Sequence, residues 1–159
     1  MTYFFKEVIT PVGELKVVVS DSGLVAILWE NDNPKRIRFS SHLEKKAHPI
    51  LDEAETQLHA YFAKQIDAFS LPLDFVGTEF QKKVWGALLT IPYGQTRSYR
   101  QIAHLIGHPK AVRAVGAANG KNPISIVVPC HRVIGANGKL TGFAGGLSVK
   151  KHLLEIERD

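Results

Sequence analysis

Cysteine is almost missing from this chain: Cys130 is the only one in 159 residues. That excludes an internal disulfide and any zinc site built from several cysteines, and it fits a reducing compartment. Long apolar runs are missing as well. No uncharged stretch approaches the roughly 20 residues that a membrane-spanning helix needs. Lys6 and Glu7 stand where a secretory signal would need an apolar run. The expectation is a soluble, cytoplasmic protein with no membrane partner. The glycine-rich segment 141–146 lacks phosphate-loop spacing and a following Lys-Ser/Thr pair, so no nucleotide site is read there. No metal and no cofactor are expected, and there is no internal repeat.

Acidic residues are scarce in the second half. Residues 77–159 hold 12 Lys+Arg against 4 Asp+Glu, a net +8, whereas residues 1–76 hold 8 against 11, a net −3. A basic half beside an acidic one suggests a polyanionic partner for the C-terminal half; a solvated basic surface is the alternative. With 45% hydrophobic residues the chain can bury a core, in one domain or two small ones.

Residues 3–30 alternate in strand fashion, with turns at Pro11–Gly13 and Asp21–Gly23. Three strands with short turns imply an antiparallel meander. Ile50, Leu51, Ala54, Leu58, Tyr61 and Phe62 fall at helical spacing, which predicts an amphipathic helix over 49–64. His42, His48 and His59 show no paired metal spacing and read as surface or cap residues. Residues 66–77 connect this part to a different composition.

Thr78 and Gln81 form a capping-box pattern, and Phe80, Val84, Trp85 and Leu88 line one face of the helix that follows. Ser98 and Gln101 repeat the pattern before a short helix stopped by Gly107. Pro109 suits the first turn of a second helix over 110–119, ended by Gly120. Two short helices around a glycine turn read as a helix-turn-helix. The second helix is built from small residues, Ala111, Ala114, Gly116, Ala117 and Ala118, with Arg113 projecting from it. Small side chains let a helix backbone approach another surface, and one long cation can enter a groove. A tightly packed internal helix is the bland alternative. A last helix is predicted over 148–157.

Residues 124–128, Ile-Ser-Ile-Val-Val, read as a buried strand, and Pro129 stops it. Cys130 then sits at the end of a rigid element, followed by His131 and Arg132. An imidazole and a guanidinium beside a thiol favour the thiolate, the nucleophilic form. The bland reading is a buried cysteine acting as a small hydrophobe.

The segment from Pro129 to Val133, preceded by the helix-turn-helix, resembles the O6-alkylguanine-DNA alkyltransferases, the methylated-DNA–protein-cysteine methyltransferases. The resemblance runs from Phe80 to Glu157 and includes Thr90-Ile91-Pro92-Tyr93-Gly94, the run Arg113 to Asn119, Asn122-Pro123 and Gly145-Gly146. It implies an α+β protein: an N-terminal antiparallel sheet domain with a helix (1–76, ribonuclease-H-like in outline), and a mostly α-helical C-terminal domain (77–159) that binds DNA through the helix-turn-helix and carries out the transfer. Direct-reversal repair is implied, in which the alkyl group of O6-alkylguanine, and of O4-alkylthymine, moves irreversibly from a flipped-out nucleotide to Cys130. His131 and Glu157 would remove the thiol proton through a water. Tyr99 would donate to the base and help rotate it. Arg113 would fill the gap in the stack, and Asn122 would brace the turn below the site. Ala111, Ala114, Gly116 and Ala117 would lie against DNA, with Arg132 also contacting it. The backbone of Cys130 and Val133, with Phe143, Ala144 and Gly145, would line the pocket. The zinc site of some relatives cannot form with one cysteine. The implied partner is double-stranded DNA carrying O6-alkylguanine, bound by a monomer, with cooperative binding left open.

Two other readings remain at this level. A Cys-His hydrolase would draw its base from His104, His108 or His152. A DNA-lesion-binding module without chemistry would need no thiol at all.

Overall fold

β-Branched and aromatic residues dominate the first thirty positions, and they build most of a sheet. β1 (Thr2–Thr10), β2 (Gly13–Val19), β3 (Leu24–Trp29) and β4 (His42–Lys45) pair in the order β3-β2-β1-β4. The computed structural model describes residues 2–39 and 41–158. Two compact units divide the chain, Met1–Val76 and Gly77–Asp159. Among the described residues no helix is long and apolar enough to cross a membrane.

In the first unit β1, β2 and β3 form the expected antiparallel meander. β4 was not expected: it pairs parallel to β1, Thr2 opposite His42, and makes the sheet mixed. Its sequence, His-Leu-Glu-Lys, is polar and mostly exposed, so nothing but backbone pairing marks it as a strand. Helix α1 (Pro49–Phe62) buries Leu51, Ala54, Leu58 and Tyr61. His48 is its N-cap, its Nδ1 accepting from the Ile50 N–H at 3.1 Å. Lys6 on one face of β1 pairs with Glu55 of α1 at 2.5 Å. Tyr3, Val18, Val25 and Ala26 cluster with Phe5, Leu28, Phe39 and Leu43. Covering both faces explains why β3 is buried almost throughout. The segment after α1 returns along β3: Leu24 N–H donates to Pro72 O at 2.8 Å and Asp74 N–H to Leu24 O at 2.8 Å. Gly23 permits this, since a Cβ there would lie 2.8 Å from the Pro72 backbone.

The second unit is mostly helical: α2 (Glu79–Leu88), β5 (Arg97–Ser98), α3 (Tyr99–Leu105), α4 (Val112–Gly120), β6 (Val133–Ile134) and α5 (Leu147–Ile156). Both predicted capping boxes are formed, at Thr78/Gln81 and at Ser98/Gln101. Helices α2, α3 and α4 pack on one another. Trp85 of α2 is buried and its Nε1–H donates to Ala118 O of α4 at 2.9 Å. That bond satisfies the indole while its ring fills the core.

Two sequence-based expectations need correction here. Helix α4 starts at Val112, not at residue 110, and Gly120 is its last residue rather than its stop. Gly107, at φ +81°, reverses the chain, and Ala111 N–H donates to His108 O at 2.9 Å. Pro109 therefore occupies the second position of a tight turn, which its fixed φ also suits. Residues 124–128 are not a strand. They form a buried turn in which Ile126 has φ +73°, Val127 N–H donates to Ser125 O and Val128 N–H to Ile124 O, each at 2.9 Å. A short buried apolar run has no periodicity of its own to tell a strand from a wrapped loop.

Candidate active site and nucleic-acid interface

Asn122 explains how that turn is held. Its Oδ1 accepts from Ile124 N–H at 3.0 Å and its Nδ2 donates to Val128 O at 2.8 Å. The side chain is buried and replaces the partners that strand neighbours would give. Cys130 follows as the first residue of a 3-10 turn, Cys130–Arg132, instead of ending a strand. Asn119, at the end of α4, reaches the Cys130 carbonyl with its Nδ2 at 3.5 Å, a long contact. The cysteine is thus positioned from two sides, and only 5% of it is exposed.

His131 and Arg132 both turn inward to one carboxylate. His131 Nε2 lies 2.7 Å from Glu157 Oε2. Arg132 Nε donates to Glu157 Oε1 at 2.8 Å, and its second terminal nitrogen to Oε2 at 3.1 Å. Its other terminal nitrogen donates to Ile91 O at 2.7 Å. A forked guanidinium on a buried carboxylate fixes both charge and orientation. This corrects the expectation for Arg132: it is buried, its donors are taken by Glu157 and Ile91, and it is not on an exposed DNA-facing surface. Gly94 at φ +81° lets the 90–94 loop pass the Glu157 backbone, because a Cβ there would lie 2.9 Å from Glu157 O.

Burial pushes the His131 pKa below the ordinary histidine range; the Glu157 hydrogen bond opposes this, and the Arg132 and Lys150 charges add to the lowering. A neutral ring facing a carboxylate with Nε2 carries its proton on that nitrogen. Nδ1 is then an acceptor. It is buried and has no hydrogen-bond partner among the described residues.

Tyr99 opens α3, directly after β5, and β5 pairs parallel with β6: Arg97 lies opposite Val133 and Ser98 opposite Ile134. This pairing carries Tyr99 to the cysteine turn. Its hydroxyl is hydrogen-bonded to Thr141 Oγ1. Gly116 of α4 packs toward its ring, where a Cβ would lie 3.9 Å away. Val133 is buried, while Phe143, Ala144 and Gly145 are partly exposed in the loop before α5. Gly146 N–H closes a turn on Phe143 O at 2.9 Å.

Helix α4 has two faces. Val115, Ala118 and Asn119 are buried, while Arg113, Ala114 and Ala117 are exposed and Ala111 and Gly116 are partly so. Arg113 makes no ion pair or hydrogen bond with any described residue, Glu79 included. His104, His108 and His152, the alternative bases, are all exposed.

Sequence reasoning missed Lys150 and Thr141. Lys150 is fully buried, and its Nζ donates to Val133 O at 2.7 Å and to Thr141 O at 3.4 Å. The signal was present in the helical spacing: positions 150, 153 and 157 share a face, and the other two are Leu153 and Glu157, both buried.

The basic second unit thus brings a buried cysteine, histidine and glutamate together with a helix that exposes small residues. The family description "6-O-methylguanine DNA methyltransferase, DNA binding domain" matches residues 79–159, and "6-O-methylguanine DNA methyltransferase, ribonuclease-like domain" matches residues 6–75. The chain belongs to the 6-O-methylguanine DNA methyltransferase family. It is 49% identical over 148 residues to a methylated-DNA–protein-cysteine methyltransferase of Methanosarcina acetivorans, covering 93% of this chain and 94% of that one. It is 48% identical over 156 residues to one from Mycolicibacterium paratuberculosis, covering 97% and 92%. Among solved structures, Mycobacterium tuberculosis OGT in complex with DNA is similar at a TM-score of 0.86 and 47% identity, over 99% of this chain and 93% of that one.

Proposed function

We propose that this protein repairs DNA by direct reversal, moving the alkyl group of O6-alkylguanine to its own Cys130 in a single turnover. It is a methylated-DNA–protein-cysteine methyltransferase. The observation that carries the residue assignment is the buried thiol next to a histidine whose second nitrogen is held by the Glu157 carboxyl group. His131 Nδ1 accepts the thiol proton across one water, while Glu157, oriented by Arg132, stabilises the imidazolium that results. The thiolate attacks the alkyl carbon; an S–C bond forms as the C–O6 bond breaks. Guanine leaves with negative charge on O6, relieved by the Tyr99 hydroxyl and a backbone N–H of the 143–145 loop. The product is a thioether that no ordinary reductant cleaves, so each molecule acts once.

The target carbon lies inside the duplex, so the nucleotide must be flipped out. Helix α4 presents its small exposed face to the minor groove, where Ala114 and Ala117 allow close approach. Arg113 fills the vacancy, and Tyr99 turns the nucleotide. The Cys130 and Val133 carbonyls accept from the guanine amine, with Phe143, Ala144 and Gly145 as walls. Asn122 holds the turn that aims the thiol. O4-Alkylthymine offers the same leaving oxygen and is a second substrate. The basic second unit serves as the DNA-binding and transfer domain and the first as its structural partner. A working thiol nucleophile needs a reducing compartment, and the reading is a cytoplasmic protein.

The test is intact and peptide mass analysis after incubation with a duplex containing O6-methylguanine. The expected gain is one methyl in place of one hydrogen, on the peptide containing Cys130. Modification of another residue, or release of methanol with an unmodified protein, contradicts the proposal.

A further inference from the structure

We infer that Lys150 is the counter-ion of the Cys130 thiolate and a positioning residue for the transfer, its buried ammonium joining the carbonyls of Val133 and Thr141. The inference deepens the proposed function and rests on Cys130 as its nucleophile.

A fully buried lysine is unusual, because removing an ammonium from water is costly unless an anion compensates. Salt bridges tie Lys6 and Lys45 to carboxylates. Lys150 has none among the described residues; its Nζ donates only to Val133 O at 2.7 Å and Thr141 O at 3.4 Å. Two carbonyl dipoles orient an ammonium but do not neutralise it. Val133 closes the cysteine turn, its N–H donating to Cys130 O, so the ammonium is anchored on the residue that is itself bonded to the Cys130 backbone. Burial lowers the Lys150 pKa and the thiolate raises it back. The other ionisable group it influences is His131, whose ring it helps keep neutral. Beyond His131 stand Glu157 and Arg132, already paired with each other. The ammonium favours the thiolate and keeps the resting His131 ring neutral, with Nδ1 free to accept, while Glu157 opposes its effect on the imidazolium that forms.

The same ammonium organises the pocket. Val133 belongs to β6, which pairs with β5 just before Tyr99. Thr141 holds the Tyr99 hydroxyl through its own Oγ1. Lys150 therefore links α5 to the two segments that place the Tyr99 phenol, as well as to the turn that carries the thiol.

A role in stability and a role in chemistry predict opposite results for Lys150→Met. Methionine nearly keeps the length and removes a buried charge whose proton affinity is depressed in the fold. A depressed lysine pKa means that the unfolded chain binds the proton better, so the charge costs stability at every pH below its folded pKa. The variant should unfold at the same temperature as the wild type or higher, while its reaction with iodoacetamide slows at neutral pH. Against pH, the midpoint of that reaction should rise by about one unit or more, which is about tenfold in rate at pH 7. Cys130, His131, Glu157 and Arg132 are present in both proteins, so the difference reports Lys150. An unchanged midpoint in a folded variant overturns the inference. The wild type gives a second reading that needs no variant. With ε-13C-labelled lysine, the Lys150 titration should move to lower pH once Cys130 is S-methylated; an unmoved titration also overturns it. Methyl transfer from duplex DNA by the same wild-type sample is measured in parallel. Failure of that transfer alone contradicts the proposed function, whereas failure of the two titrations with transfer intact removes only Lys150.

Discussion

His131 Nε2 lies 2.7 Å from Glu157 Oε2, with both side chains buried. This leaves the other ring nitrogen as the one acceptor the histidine can offer the thiol. It also ties histidine protonation to stability. The folded-state pKa of His131 is lowered, chiefly by burial. The unfolded chain then takes up a proton below about pH 6.5 that the fold resists. Stability should fall as pH drops through and below that value, and rise to a plateau above it. In denaturant unfolding between pH 5 and 8, His131→Gln should show a shallower loss toward acid than the wild type. An equal slope in both would remove His131 as the source.

Asn122 satisfies two buried backbone groups with one side chain. Asn122→Ala should orphan Ile124 N–H, at a cost of about 1–3 kcal/mol, and leave Val128 O with the Cys130 N–H as its remaining donor. The turn should also lose its fixed aim at Cys130. Both a lower unfolding midpoint and slower methyl transfer are expected, measured by denaturation and by a single-turnover assay. Normal stability would mean that the buried turn finds other partners.

How much of this was legible beforehand differs by element. Both capping boxes were, because a Thr or Ser followed three residues later by Gln satisfies specific N–H groups wherever it occurs. The meander was legible from alternation and turn residues. β4 was not, since its pairing depends on the edge of β1 and not on its own sequence. The inward turn of Arg132 depends on Glu157, 25 residues away, so no local pattern marks it. For Lys150 the spacing with Leu153 and Glu157 marks the buried face, but its partners are carbonyls, which every residue has, so its contacts are not legible.

Arg113 projects from α4 without a described partner. Arg113→Ala should slow repair of duplex O6-methylguanine severely while changing the reaction with free O6-benzylguanine little, because the free base needs no flipping. Arg113→Lys should recover only part of the loss, as lysine keeps the charge without the planar group. Equal losses on both substrates would assign Arg113 to the fold.

DNA binding should follow salt. For each phosphate neutralised, the slope of log K against log salt should steepen by ~0.9, with little preference among sequences. Lys83→Ala and Lys121→Ala, both exposed, separate true contacts from solvated charge by whether each lowers that slope. A flat profile for the wild type would mean a different binding mode.

The single-turnover claim is tested most directly by titration. A fixed amount of protein is mixed with increasing O6-methylguanine duplex, and repaired guanine is counted at completion. The account predicts a plateau at one repaired base per protein molecule, with Cys130→Ser still binding DNA and repairing none. Repair that continues past one equivalent would contradict it, because a thioether at Cys130 leaves no thiol for a second transfer.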